Sequence, residues 1–302
     1  MRFVAAAALL STLAAADPSA AAFAVGVLRR DGIVIPYASF DGKRWSAPWP
    51  LPDSDRAIPI NLISVPKNWW GKAGIRDSWQ AWVDGATQTL HVQQPDVVKT
   101  HCTRQIGLRT DYRPVEPPPP PDVQPYPKDG LAISPSHELQ RIAILSPGAT
   151  ELLPLWPAVR DAFNQAERET ASHGNYPISE KVRERYDPQI EAAYAYGTDP
   201  RVYYVESTRA YRTVGNDDCA YAFGTGWFMK SGDSYKPLVM SVELLGCDRY
   251  GASYMLPFGV MSIGGHTYWL AQFSGWDDER FVVLDVKQKT VEAVVNVWEG
   301  GC

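Results

Sequence analysis

The sequence predicts an α+β fold that is predominantly β, built from antiparallel hairpins and a strand meander. The chain carries 11 Trp and 15 Tyr together with 25 Pro and 23 Gly. Many aromatic residues and many turn formers favour strands joined by tight turns. A single region, around 155–196, shows the spacing of a helix instead.

The first 22 residues have the pattern of a secretory signal peptide. Arg2 supplies a positive start, and Phe3–Leu13 form an apolar run that is too short for a membrane anchor. Small residues at Ala14–Ala16 and Ala20–Ala22 offer two cleavage positions. The alternative is a buried N-terminal helix. We expect an exported protein, periplasmic or extracellular, with no membrane span after the signal is removed.

Residues 23–112 form the predicted N-terminal β-rich part. Asp31-Gly32 and Asp84-Gly85 are favoured two-residue hairpin turns, and each is flanked by runs of strand-forming residues. A loop between the two hairpins contains two adjacent tryptophans, Trp69 and Trp70.

A proline-rich linker at residues 113–130 is expected to separate this part from a C-terminal domain at 131–302. Pro117–Pro121 favour an extended polyproline helix, because proline fixes φ and has no amide donor. The alternative function of the segment is to bind a proline-recognition module.

The C-terminal domain is predicted to begin with helix and to continue as a meander. Trp156, Val159, Phe163 and Ala166 recur at helical spacing in "WPAVRDAFNQAERETAS". Two shorter runs, "SEKVRERY" and "PQIEAAYAY", are further helix candidates. From Arg201 onward, seven β-rich runs with turns between them predict seven strands.

Two stretches of the chain resemble each other. Gly26–Gly42 and Gly259–Gly275 align without gaps and share six of seventeen residues. The simpler interpretation is two hairpins of similar composition. The alternative is a repeated module, as in the blades of a β-propeller.

The four cysteines predict disulfide bonds, because their number is even and export implies an oxidising compartment. We expect Cys302 to be bonded so that the chain end is fixed. Its preferred partner is Cys247, and Cys219 is the second choice. No pairing is assigned to Cys102 and Cys219. No Cys-x-x-Cys pair or histidine cluster predicts a metal site, and no cofactor motif is present.

Several function classes lack their sequence signatures. The chain has no Gly-x-Ser-x-Gly elbow, no His-Glu-x-x-His helix and no phosphate-binding glycine loop. Its net charge of −5 does not fit a nucleic-acid binder. Whether the protein is an enzyme stays open, with the balance against it.

The candidate catalytic groups are acids in turns and one histidine. General acid–base chemistry would need two of the carboxylates in one cleft, but solvated turns are the simpler interpretation. The candidates are Asp277, Asp278, Glu279, Asp217, Asp218 and His266.

His266 opens a strand in which residues alternate between two faces. Trp269 and Phe273 belong to an apolar face that predicts core. His266, Tyr268 and Gln272 share the more polar face, which we expect to line a groove or to face water.

Tryptophans in or beside loops are the candidate binding residues, because exposed rings stack on sugars or grip a protein partner. The alternative is burial under loops. The candidates are Trp69, Trp70, Trp227 and Trp276.

These observations favour an exported, non-enzymatic binding or interaction protein, expected to be a monomer, with a protein or carbohydrate ligand. The alternative is a hydrolase that acts on envelope or environmental polymers through acidic residues. A third hypothesis is a structural envelope protein held by disulfides.

Overall fold

A computed structural model describes residues 21–49, 77–83, 85–100, 102–123, 125–173, 178–212, 219–276 and 278–301. The structure is 58% strand and 10% helix with antiparallel sheets, which confirms the predominantly β, α+β fold class. Residues 1–20 of the predicted signal peptide lie outside the described residues. In the parts of the chain that are described, no helix is long and apolar enough to cross a membrane.

Sixteen strands, two α-helices and one 3-10 helix (Thr150–Leu152) follow one another along the described chain. The first group of strands is β1 (Phe23–Arg29), β2 (Ile33–Phe40), β3 (Trp45–Ser46), β4 (Ser78–Val83), β5 (Ala86–Lys99), β6 (Arg104–Thr110), β7 (Lys128–Ser134) and β8 (Ala143–Leu145). The helices are α1 (Trp156–Ser172) and α2 (Glu180–Arg183). The second group is β9 (Gln189–Tyr196), β10 (Arg201–Arg212), β11 (Cys219–Ser231), β12 (Ser234–Leu245), β13 (Tyr254–Ile263), β14 (His266–Ser274), β15 (Asp278–Val286) and β16 (Val291–Gly301).

The first seven strands form a closed barrel with a short extension. Six strands follow the order β1-β7-β4-β5-β6-β2, and β2 pairs again with β1, while β3 extends from β2. The strand after the proline-rich segment, β7, therefore completes a sheet that the preceding residues begin. The division into two domains at 113–130 stays a prediction.

The proline-rich segment is tied to the end of β1. The guanidinium of Arg29 lies 3.9 Å from the ring centroid of Tyr126, whose hydroxyl donates to the carbonyl of Pro119 at 3.3 Å. Arg30 donates to Asp129 at 2.9 Å, where the end of the segment enters β7. Although its prolines are largely exposed, the segment is held against the barrel at these points.

The remaining strands form a five-stranded sheet, β12-β11-β10-β9-β8, and a four-stranded sheet, β13-β14-β15-β16. All seven predicted strands of the meander are present as β10 to β16. They belong to two sheets because β12 pairs with β11 and not with β13. The five-stranded and four-stranded sheets then pack face to face.

The helix predicted for "PQIEAAYAY" is wrong, because this run forms β9. Ala193 and Ala195 are buried at alternate positions, under Leu155 and Val159 near the start of α1. Period-two burial against a helix and pairing with β10 outweigh the helical propensity of alanine and glutamate. The longer predicted helix is confirmed as α1.

Both faces of the four-stranded sheet are buried. Leu270 of β14 packs on the barrel, and its neighbour Trp269 packs on the five-stranded sheet. The prediction that the Tyr268–Gln272 face meets water is therefore wrong, since both residues are buried. The barrel covers the face that looked polar in the sequence.

The two similar stretches are both hairpins with a left-handed glycine at the turn, Gly32 at φ 81° and Gly265 at φ 79°. Their registers differ by one residue, because Val27 pairs with Ile35 whereas Val260 pairs with Trp269. Among the described residues, the sheets have unequal strand numbers and do not repeat as propeller blades.

A disulfide joins Cys219 to Cys247, with their Cα atoms 5.1 Å apart. The expected bond between Cys247 and Cys302 is therefore wrong, and so is the second choice of Cys219 for Cys302. The physical reason is the pairing of β11 with β12, which brings the open ends of these two strands together. Cys102 is also disulfide-bonded, and Cys302 lies outside the described residues.

Replacing both Cys219 and Cys247 with serine is expected to lower the free energy of unfolding by about 3–4 kcal/mol. The bond closes a loop of 28 residues, and removing it returns conformational entropy to the unfolded chain. Urea unfolding of the double variant and of the wild type checks this. Equal midpoints and slopes would contradict the expectation.

Gly224 of β11 faces α1, and a Cβ atom there would lie 2.7 Å from ring atoms of Phe163. Gly224→Ala is expected to destabilise the protein by about 1–3 kcal/mol through overpacking. Gly148→Ala is the matched control, since no atom lies within 4 Å of the added carbon there. Urea unfolding of both variants separates the packing effect from the general effect of replacing glycine.

Candidate functional site

The five-stranded and four-stranded sheets separate where β12 and β16 end them, and a cleft of about 320 Å³ opens between them. We call this the inter-sheet cleft. Its apolar lining is Phe223, Phe273, Val282, Leu284 and Ala293. Its polar lining is Thr225, Ser241, Glu243, Ser253, Arg280 and Asn296, and Gly251 also lines it. This volume is at the lower end of the range for small-molecule sites.

Strand alternation explains the character of the cleft floor. In β15, Phe281 and Val283 point to the barrel core. The intervening residues Arg280, Val282 and Leu284 therefore point to the cleft. The floor is apolar because the same face continues into the core between the two sheets.

Polar groups without partners lie in the inter-sheet cleft. Arg280 Nε and Ser253 Oγ are buried and have no hydrogen-bond partner among the described residues. The Nη2 of Arg280 forms an ion pair with Asp278 at 3.8 Å, which is too long for a hydrogen bond. A buried donor without an acceptor costs free energy, so a ligand acceptor at Arg280 would recover that cost.

Two exposed rings contact each other beside the chain segment that contains the cleft residue Gly251. Tyr250 is 54% exposed and Trp276 is 68% exposed, and their ring centroids are 6.2 Å apart. We call them the aromatic pair. Trp276 was among the sequence candidates, whereas Tyr250 was missed because a lone tyrosine in a turn gives no distinct signal.

A third exposed ring, Trp298, lies on β16 directly opposite Arg280 and is 41% exposed. Sequence analysis also missed this residue, because it ends an apolar run that predicts only a strand. The available signal was alternation: Val295 and Val297 are buried, so Asn296 and Trp298 share the other face.

The structure corrects the expectation that Trp227 is a binding residue. Its ring is 6% exposed and packs on Trp269 and Tyr204 at centroid distances of 4.9 and 5.1 Å. Trp227 therefore belongs to the core between the sheets. Trp69 and Trp70 lie outside the described residues.

The acidic turn candidates do not form one site. Glu279 is buried, and its carboxylate lies 2.6 Å from Lys128 Nζ and 2.9 Å from Gln272 Nε2. The interpretation of this residue as a solvated turn tip is wrong, because it faces the barrel. Asp278 is on the opposite face, beside Arg280. Asp277, Asp217 and Asp218 lie outside the described residues.

A second buried carboxylate, that of Glu299, lies near Lys128 and Glu279. Burial raises the pKa of Glu299 to about 8, and the charge of Lys128 opposes this effect. The charge of Glu279 raises the pKa of Glu299 further, and the charge of Arg29 lowers it. The cluster joins β7 of the barrel to β15 and β16.

His266 is at the other end of β14 from the acidic turn. Its Nδ1 lies 3.0 Å from Asp285 Oδ2, and its half-exposed ring stacks on Tyr268. His266 and Asp285 line a separate cavity of about 350 Å³. Nine residues of extended strand span about 26 Å, so His266 shares no cleft with Asp278 or Glu279.

Glu206 is a buried acid that sequence analysis did not select. The backbone amide of Met255 donates to its carboxylate at 2.6 Å. Burial raises the pKa of Glu206 to about 7, opposed by this hydrogen bond. Glu206 lies opposite Thr225 of the cleft wall. A single acid in a strand-forming run gave no sign of burial.

The described residues contain no group of three or more His, Cys, Asp or Glu side chains that would hold a metal ion. The inter-sheet cleft itself has an apolar floor and two hydrogen-bond donors without partners, Arg280 Nε and Ser253 Oγ. This arrangement is suited to binding.

Glu206→Gln is expected to flatten part of the dependence of stability on pH. Because its folded-state pKa of about 7 exceeds the ordinary value of 4.5, the stabilisation is complete below pH 4.5 and is lost as the pH rises through 7. The variant should match the wild type near pH 4.5 and exceed its free energy of unfolding by up to about 3 kcal/mol at pH 8. Urea unfolding across this range checks it, and parallel curves would contradict it.

The chain has no match in three comparisons with known proteins: no family model, no curated protein and no solved structure. The inter-sheet cleft and its exposed rings are therefore the basis for the function proposed below.

Proposed function

We propose that this protein is an exported, non-enzymatic binding protein whose ligand occupies the inter-sheet cleft. The observation that carries the proposal is the juxtaposition of this cleft with the aromatic pair, Tyr250 and Trp276. Tyr250 directly precedes Gly251, which lines the cleft, and both rings of the pair are exposed to solvent.

The composition of the site favours recognition. Trp, Tyr and Arg are the residues that most often dominate binding energy at interfaces. All three are present here as Trp276, Tyr250 and Arg280. A ligand that covers the exposed rings would remove apolar surface from water, which contributes about 25 cal/mol per Å². Hydrogen bonds to Arg280 and Ser253 would fix the orientation of the ligand in the cleft.

Export is supported by the disulfide between Cys219 and Cys247, because such bonds persist in oxidising compartments. The N-terminal sequence pattern supports the same compartment. The bond lies at the end of the β11–β12 hairpin, and both of these strands contribute to the wall of the cleft.

Among the candidate acids that the structure describes, Asp278 and Glu279, the distribution fits a non-enzymatic role better than hydrolysis. Asp278 and Glu279 point to opposite faces of β15, and the Glu279 carboxylate is engaged by Lys128. His266 is at the distant end of the same sheet. A glycosidase pair would need two carboxyl groups about 5–10 Å apart across one cleft.

Trp276→Ala is expected to weaken ligand binding by about tenfold or more, because it removes the more exposed ring of the aromatic pair. Calorimetric titration should use three defined probes: cellohexaose, chitohexaose and an octapeptide of alternating valine and threonine. Trp276→Phe keeps an aromatic ring and should stay within about threefold of the wild type.

Ile144→Ala is the control for loss of an exposed apolar side chain, since Ile144 is exposed and does not line the inter-sheet cleft. Binding of a probe that Trp276→Ala leaves unchanged would place the ligand elsewhere. The absence of binding by all three probes at about 1 mM would overturn the proposed function.

A further inference from the structure

The segment between β12 and β13, residues 246–253, supplies several groups of the site described above. Gly251 and Ser253 line the inter-sheet cleft, and Tyr250 is one ring of the aromatic pair. We call this segment the cleft loop. Because the loop has no strand pairing of its own, the place of these groups depends on the side-chain contacts that hold it.

Arg249 of the cleft loop has a left-handed backbone, with φ at 56°. A residue with a Cβ atom is strained in this region, which favours glycine. Backbone outliers of this kind persist where surrounding contacts hold them, and they cluster at functional sites. The contacts of the Arg249 side chain are therefore the ones to examine.

The guanidinium of Arg249 is held by the five-stranded sheet. Its Nη1 and Nη2 donate to the two carboxylate oxygens of Glu191 on β9, both at 2.8 Å. Glu191 also accepts a hydrogen bond from the hydroxyl of Thr208 on β10 at 2.8 Å. The guanidinium lies 4.7 Å from the ring centroid of Tyr221 on β11. Such a two-pronged contact fixes the direction of the arginine as well as its distance.

The backbone of β9 is irregular at the residue that receives Arg249. Ala192 and Ile190 pair with successive residues of β10, so Glu191 between them has no opposite residue and forms a β-bulge. A bulge re-aims a side chain, and bulges are frequent beside functional sites. Both partners of this ion pair, Arg249 and Glu191, thus occupy backbone that departs from regular structure.

The ion pair lies beside the inter-sheet cleft. Tyr221 and Phe223 are two residues apart in β11 and therefore share one face of the sheet, and Phe223 lines the cleft. On its other side, Arg249 directly precedes Tyr250 of the aromatic pair. The contact between Arg249 and Glu191 therefore connects the wall of the cleft to the exposed rings.

We propose that Arg249 is the positioning residue of the binding site, because its contact with Glu191 fixes the cleft loop and presents Tyr250 and Ser253 to the ligand. The inference rests on the proposed function, since the loop serves a ligand only if the inter-sheet cleft binds one.

Two other contacts hold the ends of the cleft loop. The disulfide to Cys219 anchors Cys247 near its start, and the amide of Met255 just after it donates to Glu206 at 2.6 Å. Arg249 lies between these anchors, next to the residues that the ligand would meet. The ends should therefore stay in place when the Arg249 contact is removed, while Tyr250 moves.

Arg249→Gly removes the side chain and also relieves the strained backbone, so the urea midpoint should stay close to that of the wild type. Cellohexaose, chitohexaose and the valine–threonine octapeptide are the probes. Whichever of them Trp276→Ala weakens should lose about tenfold in affinity for Arg249→Gly. Arg249→Lys keeps the charge without the two-pronged contact and should fall between this variant and the wild type.

Glu191→Gln should weaken binding of the same probe to a similar degree. The double variant with Arg249→Gly should bind no more weakly than either single variant, because the two residues act as one unit. Glu151→Gln is the matched control. Glu151 accepts a hydrogen bond from Arg201 at 2.5 Å, and this arginine also lies over a tyrosine ring, but neither residue lines the inter-sheet cleft.

Fluorine NMR of protein labelled with 5-fluorotryptophan reports on the cleft loop without any ligand. The Trp276 resonance, assigned by its loss in Trp276→Phe, should shift in Arg249→Gly, since the Tyr250 ring leaves its place 6.2 Å away. The resonance of the buried Trp269 should not shift. A Trp276 resonance that is the same in Arg249→Gly and the wild type would overturn the positioning role.

The binding data separate failure of this inference from failure of the proposed function. If a probe binds in a Trp276-dependent way and Arg249→Gly leaves its affinity unchanged, the proposed function stands and the inference fails. Equal losses of affinity in Glu191→Gln and Glu151→Gln would also overturn the inference. If no probe binds at about 1 mM, the proposed function fails and the inference fails with it.

Discussion

Burial of both faces of the four-stranded sheet is the constraint on which the other layers depend. Leu270 and Phe281 pack against the barrel, while Trp269 and Val282 pack against the five-stranded sheet. Neither neighbour would keep a covered apolar face without this central layer. The two outer layers pack on opposite faces of this sheet. The inter-sheet cleft lies at its β16 edge, where the packing between the two sheets ends. The inter-sheet cleft is therefore a product of the layering and not of a separate loop.

Much of the fold was predictable because strand signals are local. Alternating apolar residues and turn glycines such as Gly32 and Gly265 determine hairpins within about fifteen residues, and these predictions held. The polar face of β14 and the strand β9 were predicted wrongly, because their burial depends on distant segments. Gln272 is buried through Lys128 and Glu279, partners that no window around β14 contains. The pairing of Cys219 with Cys247 likewise follows from strand register, which cysteine positions alone do not encode.

The candidate site was predictable only in part for the same reason. Trp276 was selected because a tryptophan beside an acidic turn is a local feature. Arg280 and Ser253 are site candidates only because they line a cleft between two sheets. Trp298 is one only because it is exposed on an edge strand. The acids that looked most like catalytic groups, Asp278 and Glu279, are adjacent in sequence and therefore point apart in an extended strand. Two acids that are neighbours in the sequence suggest a catalytic pair, but in an extended strand their side chains lie on opposite faces of the sheet.

Closure of the barrel ties the first strand to a strand far along the chain. Val25 of β1 pairs with Ala38 of β2 on one side and with Ile133 of β7 on the other. Strand β4 needs the same β7 as its second neighbour. Before β7 has joined the barrel, β1 and β4 each have an unpaired edge, and such edges pair readily with other chains. In the folded chain the contacts of Arg29 with Tyr126 and of Arg30 with Asp129 hold the start of β7 beside the strand that it joins.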